Sequence, residues 1–228
     1  MLAYRYPLIA REGWHWIALV AAIVLLLQWQ LGWFALPLWL PVGLLLFLFR
    51  DPPRKVPASP LGVVSPVDGR VLSVDTAQDP YLDRQAICIT LQMRKTDIFS
   101  VRSPMEGKVL QQWIGQHNKS AIGARYAQWI QSDEEDDVLL VIAPTVRVVR
   151  PKCYVHSGER VGQGQRCGFI YFGGRVEIWV PTGSRIDSNV GDMLQAGTDI
   201  IATLVHEKAT PPRVPSKVDS SDTVSGDH

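Results

Sequence analysis

Few residues of this chain have the types and spacing that catalysis or metal binding requires. Its three cysteines, Cys88, Cys153 and Cys167, show no CxxC spacing, and we expect reduced, partly buried thiols. His117 and His156 are isolated in loop-like contexts, which are more typical of surface or turn histidines than of catalytic bases. The sequence contains no evident Ser-His-Asp trio, cluster of metal ligands or Gly-rich phosphate loop.

Two similar turns recur in the chain, at Ser65–Val71 and Ser103–Val109. Both read serine, proline, a variable residue, an acid, glycine, a base and valine. Proline and glycine stand where a tight turn into a strand needs them. Such repetition predicts a domain built from β-hairpins.

An uncharged apolar run extends from Gly13 to Phe49, 37 residues that include five tryptophans. The apolar part of a secretory signal is only about 7–15 residues long, so we expect this segment to be retained. Gly32 divides it into Trp14–Leu31 and Phe34–Phe49, which as helices would be roughly 27 and 24 Å long. Both are slightly shorter than a hydrocarbon core about 30 Å thick.

This run predicts a membrane-anchoring helical hairpin over residues 1–50, which either crosses the bilayer twice or enters it and returns. Pro37 and Pro41 favour a kinked or shallow second half. Arginine and lysine residues flank both ends, so the positive-inside tendency predicts that both ends lie in the cytoplasm.

Short apolar runs bounded by Gly, Pro, Asp or Asn follow a Pro-rich linker at 51–64. They predict a mainly β, barrel-sandwich-like domain over residues 65–207. The predicted strands are Gly69 to Val74, Ala86 to Met93, Gly107 to Trp113, Val138 to Ile142, Val146 to Arg150, Arg166 to Tyr171, Val176 to Val180 and Thr198 to Val205. We expect a helical turn or loop around Ser120 to Ile130, and a disordered tail over 208–228.

Several motifs in this order resemble those of short-type phosphatidylserine decarboxylases. They are Pro7–Trp14 before the apolar run, Phe49–Arg54 after it, the turn at Ser65–Val71, the stretch Asp97–Val109, and Gly158–Val161 followed by Cys167–Gly173. The resemblance covers nearly all of the chain up to about His206. It implies a cytoplasm-facing domain at the inner membrane that acts on the serine headgroup of a phospholipid.

The resemblance also implies where the catalytic residues should lie, and this chain departs from the pattern. In Phe172-Gly173-Gly174-Arg175, Gly174 stands where the family has the serine that becomes the pyruvoyl group, with Gly173 on the other side of the cleaved bond. Phe99 stands at a histidine position of the family, and Asp68 matches an aspartate. Asp68 either orients a base or simply caps its own turn.

A glycine cannot become a pyruvoyl group, because it has no hydroxyl to attack the preceding carbonyl and no β-carbon for elimination. Phe99 cannot act as an acid or a base. The family's Glu-Asn-Glu-Arg-like stretch is replaced here by the acidic run Asp133–Asp137, which is typical of a solvated surface. We therefore expect no cofactor and no self-cleavage. A second Gly-Ser pair, Gly183-Ser184, is typical of a hairpin turn.

Three functions remain in competition. The first is a non-processing homologue that binds phospholipid, with phosphatidylserine as the candidate, and that forms a homo-oligomer or pairs with an active decarboxylase. The second is an active decarboxylase that makes phosphatidylethanolamine by an atypical route. The third is a barrel-sandwich carrier or adaptor, although Lys108 lacks the hairpin-tip setting of a carrier lysine. A net charge of +1 gives no argument for nucleic-acid binding.

Overall fold

The computed structural model describes residues 8–115, 125–146 and 149–205. Within them the apolar run forms a helical hairpin. Helix α1 covers Trp14–Leu31, a 3-10 segment covers Gly32–Trp39, and helix α2 covers Leu40–Leu48. Gly32 has φ +56° at the end of α1, a conformation that suits glycine, so the predicted break at this residue is confirmed.

The second half of the hairpin is not one continuous helix over Phe34–Phe49, which agrees with the kink that its two prolines favour. Pro37 lies inside the 3-10 segment, and α2 begins only at Leu40. Proline has no N–H to donate and clashes with the preceding turn, which explains the late start of α2. Among the described residues, Arg11–Phe34 is the one helical stretch that is long and apolar enough to cross a membrane.

The two ends of the hairpin are joined by backbone hydrogen bonds. Ala10 N donates to Phe49 O at 2.8 Å, and Asp51 N donates to Leu8 O at 2.7 Å. The chain therefore enters and leaves the hairpin at the same place.

The rest of the described chain is mainly β structure. Its strands are β1 Gly62–Val64, β2 Gly69–Gln78, β3 Gln85–Gln92, β4 Ser100–Arg102, β5 Gly107–Ile114, β6 Tyr126–Gln131, β7 Asp137–Pro144, β8 Lys152–Cys153, β9 Arg160–Val161, β10 Arg166–Phe169, β11 Gly174–Pro181, β12 Arg185–Ile186, β13 Met193–Leu194 and β14 Ile200–Thr203.

All pairs between these described strands are antiparallel. Eight strands form one curled sheet in the order β13-β2-β3-β11-β7-β6-β5-β9. Two three-stranded sheets accompany it, in the orders β1-β14-β12 and β4-β10-β8. This architecture confirms the predicted fold class, a mainly β domain preceded by a helical hairpin. The predicted domain boundaries stay predictions.

Two local predictions were wrong. The stretch Ser120 to Ile130 was expected to form a helical turn or loop, but its residues 126–130 belong to strand β6, because they pair with β5 on one side and β7 on the other. Residues 149 and 150 of the run Val146 to Arg150 are not in a strand. Positions 116–124, 147–148 and 206–228, which include His117 and the predicted tail, lie outside the described residues.

The two Ser-Pro turns have the same geometry. Ser65 Oγ donates to Val67 O at 2.7 Å, and Ser103 Oγ donates to Met105 O at 2.8 Å. The middle residue of each turn is buried, and the glycine that follows begins a long strand of the large sheet. A Cβ at Gly69 would lie 2.8 Å from Gln92 O, so the close approach of neighbouring backbone explains this glycine.

Candidate functional site

The Gly173-Gly174 pair lies at one end of the large sheet, where β11 begins between β3 and β7. Phe172 and Gly173 both have positive φ, +60° and +76°, so the chain makes a sharp left-handed turn into the strand. Gly174 O accepts from Met93 N at 3.0 Å, and Gly173 O accepts from Thr145 N at 3.1 Å. Both carbonyls are therefore held by neighbouring backbone.

Position 174 has no room for a side chain. A Cβ built on Gly174 would lie 2.6 Å from Ala143 O and 3.1 Å from Pro144 Cα, both in the backbone of β7. The φ of Gly174 is not in the left-handed region, so this restriction comes from the approach of β7 and not from backbone strain. Any residue other than glycine would require the end of β7 to move.

Phe99 is buried in an aromatic cluster beside this turn. It is 1% exposed, and its ring centroid lies 6.3 Å from that of Phe49, 5.9 Å from that of Phe169 and 6.0 Å from that of Phe172. Phe172 directly precedes Gly173, so the structure brings two of the sequence-predicted positions, 99 and 173–174, into one neighbourhood. The surroundings of Phe99 are apolar and aromatic.

Asp68 lies at the start of β2, at the same end of the sheet but two strands from Gly174 in the order β2-β3-β11. Its carboxylate accepts two hydrogen bonds from Arg54, at 2.8 and 3.1 Å, and one from Ala196 N at 2.7 Å. Burial raises the pKa of Asp68, and the hydrogen bond from Ala196 and the charge of Arg54 offset that rise only in part. The carboxylate thus faces an arginine of the Pro-rich linker, and its role in orienting a base stays a prediction.

A buried ion network joins the base of the hairpin to the β domain. Asp51 pairs with Arg102 at 3.2 Å and with Arg166 at 3.5 Å, and Arg166 also pairs with Glu12 at 2.8 Å. The four side chains are between 1% and 6% exposed. The hydroxyl of Tyr154 also donates to Glu12. Glu12 and Asp51 belong to the hairpin ends, whereas the two arginines and the tyrosine belong to the β domain.

Sequence reasoning missed this network, although a signal for it was present. The stretches Arg11-Glu12-Gly13 and Arg50-Asp51 flank the apolar run and contain acids as well as arginines. The structure also explains why residue 13 is a glycine, because a Cβ at this position would overlap the Phe49 ring. The hairpin is therefore docked on the β domain by charge pairs and aromatic packing.

The remaining candidate residues have structural positions. All three cysteines are free, as expected, and burial raises the pKa of Cys88 to about 12. Ser184 lies in the turn between β11 and β12, where Ser184 N donates to Pro181 O at 3.0 Å. Within residues 8–115, 125–146 and 149–205, no group of three His, Cys, Asp or Glu residues could hold a metal ion.

A model of the phosphatidylserine decarboxylase family matches residues 44–202, more than half of the chain. The chain belongs to the phosphatidylserine decarboxylase family. A relative from Nitrosomonas eutropha, named phosphatidylserine decarboxylase proenzyme, is 40% identical over 208 residues, covering 87% of this chain and 96% of the relative. Proteins of the same name from Aromatoleum aromaticum and Burkholderia lata are 37% and 40% identical over 210 residues, covering 88% of this chain and 98% of each relative.

This membership confirms the resemblance seen in the sequence and assigns the chain to phospholipid metabolism. The match of the family model runs through both Ser-Pro turns, Phe99 and the Gly173-Gly174 pair. The site described above therefore lies within the shared part of the phosphatidylserine decarboxylase fold.

Proposed function

We propose that this chain is a membrane-anchored, non-processing member of the phosphatidylserine decarboxylase family that binds phospholipid in a binding or regulatory role. The observation that carries the proposal is Gly174 at the first position of β11. Phosphatidylserine is the proposed lipid. A homo-oligomer, or a complex with an active decarboxylase, is the proposed assembly.

The residues at the site do not fit a pyruvoyl group. Gly174 offers neither an oxygen nucleophile nor a β-carbon. The place where a β-carbon would stand is only 2.6 Å from Ala143 O, which is too close for a carbon atom. Phe99, which replaces the family's histidine in our interpretation of the sequence, cannot move a proton. We therefore derive no decarboxylation step for this chain.

The hairpin supports membrane anchoring. Its large apolar side chains face outward, with Trp29, Trp33 and Phe34 exposed by 89%, 84% and 91%. Soluble proteins rarely expose apolar patches of this extent, whereas a bilayer would cover them. Because the basic residues Arg11 and Arg50 lie where the chain enters and leaves, we place the β domain at the cytoplasmic face of the inner membrane.

The same geometry supports a site that faces the bilayer. Arg50 at the hairpin base donates to Thr96 O at 3.3 Å, so the loop after β3 lies against the membrane-entry point. That loop also lies against the Gly173-Gly174 turn, because a Cβ at Gly173 would be 3.1 Å from Arg94 O. The Gly173-Gly174 end of the sheet thus lies beside the proposed membrane surface, where a lipid headgroup can reach it.

An active decarboxylase is the second candidate, and it is favoured by 40% identity to proteins named as proenzymes. Intact-mass analysis under denaturing conditions separates the two. We expect a single uncut chain of 25.4 kDa. The relative from Nitrosomonas eutropha, which is named a proenzyme, is produced in the same way and serves as the control for processing. Cleavage of this chain between Gly173 and Gly174 would refute the proposal.

A further inference from the structure

A cavity of about 330 Å³ opens where β5 ends and β6 begins. Its described lining residues are Gln112, Ile114, Gly115, Arg125, Tyr126, Arg150, Pro151, Cys153, Val155 and His156. Binding pockets for small molecules start at roughly this volume. Neither Gly173 nor Gly174 is among these lining residues, so the cavity is distinct from the Gly173-Gly174 turn.

The charged residues among its described lining residues are the arginines Arg125 and Arg150. Arg125, Arg150 and His156 line the cavity, and none of its described lining residues is acidic. Two acids approach two of these basic groups: Glu177 lies 3.6 Å from Arg125, and Glu159 lies 3.6 Å from His156. Arg150 is exposed, and among the described residues it makes neither an ion pair nor a hydrogen bond.

The floor of the cavity is held in place by internal hydrogen bonds. Gln112 Nε2 donates to Val155 O at 2.6 Å, and Tyr126 OH donates to Cys153 Sγ at 2.6 Å. Ile114 stands at the rim and is 77% exposed. A fixed polar floor, two guanidinium groups and an apolar rim suit a ligand that has one anionic group and one apolar end.

The cavity lies at the same end of the sheet as Gly174. In the strand register Tyr126 pairs with Ile142, which pairs with Val176, two residues along β11 from Gly174. With strands about 4.8 Å apart, β6 lies roughly 10 Å across the sheet from β11.

The cavity also lies close to the hairpin base. Tyr154, between the lining residues Cys153 and Val155, donates to Glu12 at the base of the hairpin. A short stretch of chain therefore separates the cavity from the proposed bilayer surface.

From this geometry we propose that the cavity binds the phosphate of a phospholipid headgroup, with Arg125 and Arg150 as its ligands and Ile114 against the glycerol or acyl end. Guanidinium groups are well suited to phosphate oxygens, because their planar N–H donors pair with two oxygens at once. The proposal deepens the lipid-binding function above and rests on it.

Calorimetry on the full chain in neutral detergent tests the proposal, with glycerophosphoserine and inorganic phosphate as separate probes. We expect glycerophosphoserine to bind, and Arg150→Gln to weaken that binding at least about tenfold, the usual effect of losing one charge-assisted hydrogen bond. The control is Arg185→Gln, because Arg185 is also exposed but pairs only locally with Asp187 at 2.8 Å. We expect this control to bind like the wild type.

Each outcome has a defined meaning. Equal binding of inorganic phosphate would support an anion site but overturn its assignment to a lipid headgroup. Failure of both probes to bind, or unchanged binding in Arg150→Gln, would overturn the site itself. The intact mass of the same sample keeps the two proposals apart, since an uncut chain that does not bind refutes only the cavity, and a cut chain that binds refutes only the absence of processing.

Discussion

The substitution Gly174→Ser tests whether the structure has closed around a glycine. The new Cβ would lie 2.6 Å from Ala143 O, whereas carbon–oxygen contacts between strands are normally about 3.3 Å or longer. The obstacle is a backbone atom, so no side-chain rotation can relieve it. Overpacking of this kind destabilises the folded state by about 1–3 kcal/mol. Serine has less backbone freedom than glycine in the unfolded chain, and this difference stabilises the folded state by roughly 0.4–1 kcal/mol.

We therefore expect Gly174→Ser to lower the free energy of unfolding by about 1–2 kcal/mol, which for a chain of this size corresponds to a fall in Tm of roughly 2–8 °C. Thermal unfolding of the full chain in detergent measures this fall. The matched control is Gly183→Ser, because a Cβ at Gly183 meets nothing within 4 Å. The control should stay within about 0.5 kcal/mol of the wild type.

The same variant tests the chemistry. We expect little or no cleavage of Gly174→Ser by intact mass, because Phe99 supplies no base and the end of β7 must open first. The double variant with Phe99→His should restore at most partial cleavage. If Gly174→Ser were as stable as Gly183→Ser and cleaved itself fully, both the steric and the chemical reasoning would be refuted.

Three further predictions concern the surroundings of the site. Phe99→His replaces a buried aromatic ring by a polar one among phenylalanines, and we expect about 2–4 kcal/mol less stability in denaturant unfolding; wild-type stability would contradict the described packing. Asp51→Asn removes the buried carboxylate that pairs with both Arg102 and Arg166, which should cost about 3–5 kcal/mol and speed proteolytic release of the hairpin from the β domain, and an unchanged proteolysis rate would contradict the docking network. Arg54→Gln removes the cation beside Asp68, so the pKa of Asp68, already raised by burial, should rise further in carboxyl NMR titration. Because a carboxyl with a raised native pKa loses stability as the pH climbs above about 4, this variant should be destabilised more at pH 7 than at pH 4, and the opposite order would contradict the assignment.

Much of the fold follows from local pattern. Strands β2, β3, β7 and β11 contain the β-branched and apolar residues that predict strands, and Gly or Asp bounds most of them. Gly32 ends α1 because its left-handed conformation suits glycine. In these places the local preference of the chain and its tertiary packing agree.

Other elements depend on partners that are distant in sequence. Apolar and polar residues alternate only weakly along strand β6, and the conformation of this strand is set by pairing with β5 and β7. The two-residue strands β8, β9, β12 and β13 are too short for any periodicity. Such elements form through contacts that a reading of neighbouring residues cannot reveal.

The candidate site was predictable in its parts but not in its arrangement. The family resemblance pointed to Gly174, Phe99 and Asp68, and only the sheet order shows that all three lie at one end of the domain. The arginines flanking the hairpin were interpreted by the positive-inside tendency alone, which left the acids Glu12 and Asp51 unexplained. Their partners lie far along the chain, so folding alone brings these charges together.

The most direct test of the central claim is hydrazide capture of a carbonyl on the purified chain, performed together with an assay of carbon dioxide release from carboxyl-labelled phosphatidylserine. A pyruvoyl group would react with the hydrazide through its keto group, whereas Gly174 has no keto group that could react. We predict no capture, and no release of carbon dioxide above a heat-treated control. A hydrazide adduct on a new chain terminus at position 174, with release of labelled carbon dioxide, would contradict the account.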